Sequence, residues 1–328
     1  MLDERRVTVV SHGPGCLDGT TCAVVAAKYF ADQRFEAVFS SNREIDEILI
    51  SYDPTHPEEE ELWITDISWR EPATDVHLDT LVSRGLKLYW IDHHKTAIDR
   101  HATGHPHIAF TDMVLDDRFA ASRLLHDYLI QRAKDRGESL QALKALRNLV
   151  LTADDVDRWI LEVEGSRELA LAVRAMRQTE AYRELLAMDS DLTPSPAIRR
   201  AMERVGQEVA ESLQLAEATR TAAPLPGTEL LIVAAECDDY AGEIADRWKD
   251  DFDEAVFALY DHRGDCVSFR RTPGCDVDLS QLADRFGGGG HPAAAGCHMA
   301  TTFDGDRAGE ITRRLVDALT RIEKERKS

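Results

Sequence analysis

Leu86-Lys87-Leu88-Tyr89-Trp90-Ile91, followed at once by Asp92-His93-His94, is the stretch that decides how this chain folds. Six residues rich in aliphatic and aromatic side chains read as a buried strand, and the pattern turns polar at Asp92. A strand that stops there sets a carboxylate and two imidazoles at the carboxyl edge of a sheet, where open α/β folds place their ligands. The triplet is short enough to arise in unrelated chains, so its meaning depends on what surrounds it.

The surrounding segments repeat the arrangement. Val7–Val10 reads as a strand and Asp18–Phe30 as a helix; Ala37–Ser40 and Asn42–Ile50 follow in the same order. Glu61-Leu62-Trp63-Ile64-Thr65-Asp66 is a third strand ending on a carboxylate, and helices are expected at about Phe119–Arg132 and Ser139–Leu151. Strands alternating with helices imply an α/β fold with a parallel, doubly wound sheet. Parallel strands would bring His12, Cys16 and Asp18, then Asp66, then Asp92-His93-His94 to one edge, joined by the segment Thr152–Asp157. Carboxylates and imidazoles crowded together repel or stay poorly paired unless a cation sits among them. Oxygen and imidazole donors suit Mn(II), Mg(II) or Fe(II). Taken singly, each aspartate could instead cap a helix, as Asp18 could for the helix that follows it.

The 328 residues are too many for one ordinary core and suit two domains. The pattern places a first domain at 1–188, a linker with a long helix at 189–223, and a smaller α/β domain at 224–328. Within the last, a strand is expected at Glu229–Ala235, a helix around Ala241–Trp248, and a hairpin of Ala255–Tyr260 with Cys266–Arg271. Leu279–Phe286 and a segment from about Arg307 to Glu323 read as helices. Between them lies Phe286-Gly287-Gly288-Gly289-Gly290-His291-Pro292, read as a loop whose glycine amides can approach an anion closely. Arg270, at the end of a strand, adds a guanidinium suited to bidentate phosphate contact.

Composition narrows the function further. The net charge of −21 disfavours wrapping a long polyanion, which needs many lysine and arginine contacts. It leaves small substrates or short oligomers in a locally positive cleft, or acidity that serves solubility alone. No apolar run approaches the roughly 20 residues that span a bilayer. A start without a signal-peptide core and six cysteines without framework spacing read as a cytoplasmic chain with no membrane partner.

Together these motifs resemble the DHH phosphoesterase superfamily, in the branch with the DHH-associated C-terminal domain, and the resemblance spans nearly the whole chain. It implies an active-site cleft between the two domains, two divalent cations, manganese foremost, and hydrolysis of phosphoester bonds by two-metal activation of water. It implies as substrates short oligoribonucleotides, a nucleotide 3′,5′-bisphosphate or a cyclic dinucleotide, and it allows a homodimer. Carried over by position, His12, Cys16 and Asp66 would hold one metal, and Asp18, Asp66, His93 and Asp155 the other, with Asp154 able to take the place of Asp155. Asp92 would orient a histidine and His94 would contact the scissile phosphate. Arg270, Gly288, Gly289, Gly290 and His291 would bind the rest of the substrate. The family's usual aspartate is replaced by Cys16, a softer ligand. Cys16 could shift the metal preference toward iron, zinc or cobalt, leave one weak site, or mark a nucleotide-binding regulator without turnover. The resemblance is also compatible with an exonuclease acting on single-stranded DNA; a pyrophosphate or polyphosphate hydrolase shares the N-terminal ligand set in kind, but the glycine motif at 287–296 argues against it.

Overall fold

The computed structural model describes residues 5–299 and 306–327. It divides into two compact units, Met1–Val205 and Gly206–Ser328. The first contains β1 (Arg6–His12), α1 (Leu17–Tyr29), β2 (Arg34–Ser40), α2 (Ile45–Ser51), β3 (Glu60–Thr65), α3 (Pro72–Ser83), β4 (Lys87–Asp92), α4 (Lys95–Ala102) and β5 (Asp112–Leu115). Five helices follow: α5 (Ala121–Arg136), α6 (Gln141–Ala145), α7 (Arg147–Asp157), α8 (Ser166–Ala175) and α9 (Gln178–Leu186). The strands form one sheet in the order β2-β1-β3-β4-β5, with every pairing parallel. The expected doubly wound α/β fold is the observed one.

The strands read as nearly continuous apolar runs because helices cover both faces of the sheet. Along β3, Leu62 and Ile64 enter a core with Ile45, Leu49, Leu78 and Ala97 from α2, α3 and α4. Trp63 points the other way, into a core built with α1, α5 and α7. There it stacks on Tyr89 of β4 at 3.9 Å between ring centroids. Trp63, Leu62 and Ile64 are fully buried, and burial of side chains this size contributes about 1.5–3 kcal/mol each.

This arrangement fixes where a ligand can sit. β2 lies on one side of β1 and β3 on the other. After β1 the chain leaves into α1 on the Trp63 face; after β3 it leaves into α3 on the opposite face. The loops diverge there, and the crevice between β1 and β3 is the topological switch point of the sheet.

Several elements differ from the sequence expectation. The short β5 is an addition to it: Asp112-Met113-Val114-Leu115 is a four-residue edge strand, only half buried and too short to stand out. One expected helix over Ser139–Leu151 is two, broken at Leu146, and α7 runs on through the aspartate-rich segment to Asp157.

The long helix α10 (Pro196–Thr219) runs through the division between the units and stops before Thr221, where β6 (Thr221–Pro224) begins. The second unit continues with β7 (Leu231–Cys237), α11 (Ala241–Trp248), β8 (Ala255–Asp261), β9 (Cys266–Arg271), α12 (Leu279–Asp284), β10 (Gly289–His291), β11 (Ala294–Cys297) and α13 (Arg307–Lys327). Its sheet runs β10-β11-β9-β8-β7-β6 and is antiparallel except for β7 with β8. Alternate residues of β8 serve its two faces: Val256 and Ala258 with α12 and α13, Phe257 and Leu259 with α11.

Candidate metal centre

The three central strands, β1, β3 and β4, deliver the polar residues. His12 is the last residue of β1, Asp66 follows β3, and Asp92 closes β4. Ser11 pairs with Thr65 and Thr65 with Ile91, so the three ends lie level. The Asp66 amide then donates to the Ile91 carbonyl, 3.0 Å. Its backbone sits at φ 58, a left-handed conformation uncommon outside glycine that aspartate takes more readily than most residues. α1 supplies two more groups. Cys16 is its N-cap and accepts from the Gly19 amide at 3.3 Å. Asp18 lies in the first turn, buried, and accepts from the Ser122 amide at 3.1 Å. α1 can approach β1 this closely because residue 19 is glycine: a Cβ there would lie 2.3 Å from the His12 carbonyl oxygen.

The two oxygens of Asp66 face different partners. Oδ2 lies 3.6 Å from His12 Nδ1 and accepts from the Cys16 thiol at 3.3 Å. Oδ1 lies 3.3 Å from His93 Nε2 and 4.0 Å from His94 Nδ1. His93 Nε2 also lies 3.4 Å from Asp157 Oδ2. Three groups result whose candidate ligand atoms all lie within 4.8 Å of one another: His12, Cys16 and Asp66; Asp66, His93 and His94; Asp18, His93 and Asp157. Asp92 stands behind the histidines. Its Oδ1 accepts from the amides of His93 and His94 and from His94 Nδ1 at 2.7 Å, and its Oδ2 accepts from Ser68 at 2.6 Å. The His94 imidazole, held by the Asp92 contact, is partly exposed.

Two observations fit this donor set to divalent cations. Among the described residues His93 Nε2 is buried with no hydrogen-bond partner, although two carboxylates lie within ion-pair distance. The carboxylates also crowd one another. Burial and then the Asp66 charge push Asp18 well above the usual carboxylate range, and the same two causes push Asp157 up to about 6. Burial and the Asp66 charge likewise raise the Cys16 thiol. Burial works to raise Asp66 too, but its contacts with His12 and His93 outweigh burial and hold it below its usual value. His93 answers in kind: burial lowers it, Asp66 and Asp157 outweigh burial, and it rises to about 9. Cations among these groups would replace repulsion with attraction.

The structure brings together His12, Cys16, Asp18, Asp66, His93 and His94, but it turns Asp155 elsewhere. Asp155 accepts from the Glu162 amide at 2.8 Å and from Ser166 Oγ at 2.6 Å. Asp154 accepts from the Ala120 amide at 2.7 Å and pairs with Arg123 at 2.8 Å. The carboxylate beside His93 belongs to Asp157, the last residue of α7. A signal for it was present. The last turn of α7 carries three aspartates and no basic residue, and carboxylates at that end oppose the helix dipole. In the folded chain Asp154 and Asp155 are taken up by donors of their own, and Asp157 faces His93.

The glycine run in the second unit is also more structural than expected. The Gly288 amide donates to Ala283 O at 2.9 Å and the Gly287 amide to Asp284 O at 3.0 Å, a Schellman closure of α12 with Gly287 at φ +71. A Cβ on Gly288 would lie 2.2 Å from the Gly296 carbonyl oxygen. Gly289, Gly290 and His291 form the edge strand β10 rather than a loop. His291 is exposed and its Nδ1 accepts from the Ala293 amide at 3.2 Å. Arg270 pairs in register with Ala294 and donates to the Phe269 carbonyl at 2.8 Å.

The fold and this cluster define a class: a two-unit α/β protein with a candidate divalent-cation centre at the carboxyl edge of a parallel sheet. No family model matches the chain. The chain is 24% identical over 305 residues to oligoribonuclease NrnB of Bacillus subtilis (strain 168), covering 86% of this chain and 71% of that protein. Among solved structures it is similar to the pGpG-specific phosphodiesterase PggH from Vibrio cholerae, at TM-score 0.57, 12% identity, and coverage of 97% of this chain and 99% of that one. It is similar to exonuclease RecJ bound to manganese at TM-score 0.58, 14% identity, and coverage of 96% and 90%. At these identities the structural likenesses establish a shared fold.

Proposed function

We propose that the protein is a divalent-cation-dependent phosphodiesterase acting on short oligoribonucleotides, down to the dinucleotide. The observation that carries this reading is the division of Asp66, one oxygen toward His12 and Cys16 and the other toward His93. A carboxylate divided in this way would suit two cations, one on each side. His12, Cys16 and Asp66 would hold one; Asp18, Asp66, His93 and Asp157 would hold the other, with Asp157 in place of Asp155. Manganese is the first choice among metals, and RecJ, whose fold this chain shares, has been solved with it. Such a pair of cations, held by these residues, would supply Lewis-acid activation of water and charge neutralisation at the phosphoryl oxygens.

The chain's own residues do the rest. Asp92 fixes His94 through Nδ1, which leaves Nε2 directed away from that contact. Burial lowers the His94 imidazole, the Asp92 hydrogen bond outweighs it, and the group is raised. A protonated His94 would donate from Nε2 to a phosphoryl oxygen and stabilise charge building there. Arg270 and His291 are assigned to the substrate's far end by the sequence resemblance. The likeness to an oligoribonuclease over 86% of the chain supports the substrate class, as does the acidity of the whole protein.

The test is turnover with Mn(II) of a short RNA, pGpG, a cyclic dinucleotide, adenosine 3′,5′-bisphosphate and pyrophosphate, each against Asp66→Ala. Mononucleotide release from the short RNA and pGpG, abolished in the variant, is expected. Release only from pyrophosphate, or none from any substrate, would overturn the reading.

A further inference from the structure

The motif that supplies Asp157 continues into Arg158-Trp159-Ile160, and nothing in the cation centre uses Trp159. The chain has five tryptophans. Trp63, Trp69, Trp90 and Trp248 are at most 1% exposed, whereas Trp159 is 47% exposed. The exposed ring lies two residues along the chain from the candidate ligand Asp157. Two residues span at most about 7 Å of chain, so the indole is rooted at the rim of the cluster. Its backbone is held there. Trp159 sits at φ 55, its amide donates to Val156 O at 3.0 Å, and the next amide, of Ile160, donates to Asp155 O at 2.8 Å. The Arg167 guanidinium lies 5.1 Å from the ring centroid and takes one face of the indole. Ile160, 42% exposed, extends the apolar surface.

The same rim carries two arginines. Arg123 and Arg158 lie 2.8 and 3.7 Å from one carboxylate, Asp154. Both flank the Phe119 ring, at 3.7 and 5.7 Å from its centroid. The segment that carries Phe119 is tied to the cluster, through the Ala120 amide to Asp154 and the Ser122 amide to Asp18. Aromatic rings interleaved with arginine beside a phosphate-cleaving centre are what a single strand of nucleic acid requires, because every base offers a π face whatever its identity.

We propose that Trp159 is a base-stacking residue: its indole holds a nucleobase of the substrate while the adjoining Arg158 and Arg123 face the strand's phosphate. The inference rests on the phosphodiesterase reading for its substrate class. It also explains how an enzyme of this charge could select nucleotides over base-free phosphates, since stacking is indifferent to the net charge of −21.

Because the other four tryptophans are buried, binding can be read without turnover. The full-length chain loaded with Mg(II) is titrated with guanosine 5′-monophosphate and, as the base-free control, ribose 5-phosphate. Quenching of tryptophan fluorescence by the nucleotide but not the sugar phosphate is expected, and Trp159→Phe should lose most of it. In turnover of pGpG, Trp159→Ala should raise KM by roughly 5- to 150-fold, the range for loss of one stacked base, with kcat falling much less. Trp159→Phe should recover part of the KM. Nucleotide binding that leaves the fluorescence unchanged, or an unchanged KM in Trp159→Ala with wild-type turnover, overturns the stacking role alone and leaves the phosphodiesterase reading standing. Quenching lost in Trp159→Phe without hydrolysis of any substrate would support the stacking role while sinking the enzyme reading.

Discussion

Replacing Asp157 with asparagine should have opposite effects on the metal-free and the metal-loaded protein. Without metal, burial and the Asp66 carboxylate push the Asp157 carboxyl from its usual 3.8 up to about 6, even with His93 pulling the other way. At about 1.36 kcal/mol per pH unit the rise corresponds to ~3 kcal/mol. Asp18 and Asp66 share this repulsion, so about 1–3 kcal/mol falls to Asp157 itself. A carboxyl whose folded-state value lies above its unfolded one contributes stability that is fully present below the unfolded value. That stability is lost as pH rises through the folded value. The neutral amide suffers no such loss. In chelator at pH 8, Asp157→Asn should therefore melt several degrees above wild type, at about 2–4 °C per kcal/mol for a unit of this size. Near pH 3 the two should melt together. Mn(II) should then reverse the order, because wild type gains the binding free energy and the variant lacks a ligand. Thermal melts at both pH values, in chelator and in Mn(II), read every part of this. An Asp157→Asn chain that melts below wild type in chelator at pH 8, or that gains as much from Mn(II), would refute the placement of Asp157 in the cluster.

Three further outcomes are expected. Asp155→Ala strips a buried acceptor from the Glu162 amide and the Ser166 hydroxyl; urea unfolding should show a loss of about 2–4 kcal/mol, with the stabilisation by Mn(II) unchanged. The Co(II)-loaded chain should show intense near-ultraviolet thiolate-to-metal absorption that disappears in Cys16→Ser, and its absence from wild type would remove Cys16 from the ligand set. Gly288→Ala drives a methyl into the Gly296 carbonyl, whereas a Cβ on Gly289 meets nothing within 4 Å among the described residues; near-ultraviolet circular dichroism should report disruption from the first and none from the second.

Much of this molecule can be read in its sequence, for physical reasons that also mark where reading stops. Leu62-Trp63-Ile64 and Leu88-Tyr89-Trp90 announce themselves because helices bury both faces of the sheet, so no polar residue interrupts them. Their parallel pairing then follows from the intervening helices, and with it the meeting of His12, Asp66 and His93. The edge strand β5 leaves no such mark because Asp112-Met113-Val114-Leu115 is only half buried. Asp154, Asp155 and Asp157 are chemically alike, and only their neighbours separate them: an arginine, a pair of local donors, and a histidine. Those neighbours come from Arg123, Ser166 and His93, distant in sequence, so spacing alone cannot choose. The four glycines suggest an anion cradle, yet two of their amides close the end of α12, a local demand that competes with any ligand.

The central claim is that Asp66 joins two cations, and Mn(II) binding stoichiometry tests it most directly. Calorimetric titration of the metal-free chain should find two Mn(II) per chain in wild type, while Asp66→Ala should lose high-affinity binding at both sites. A single Mn(II) per wild-type chain, or two bound as tightly in Asp66→Ala, would contradict the shared carboxylate on which the proposed chemistry stands.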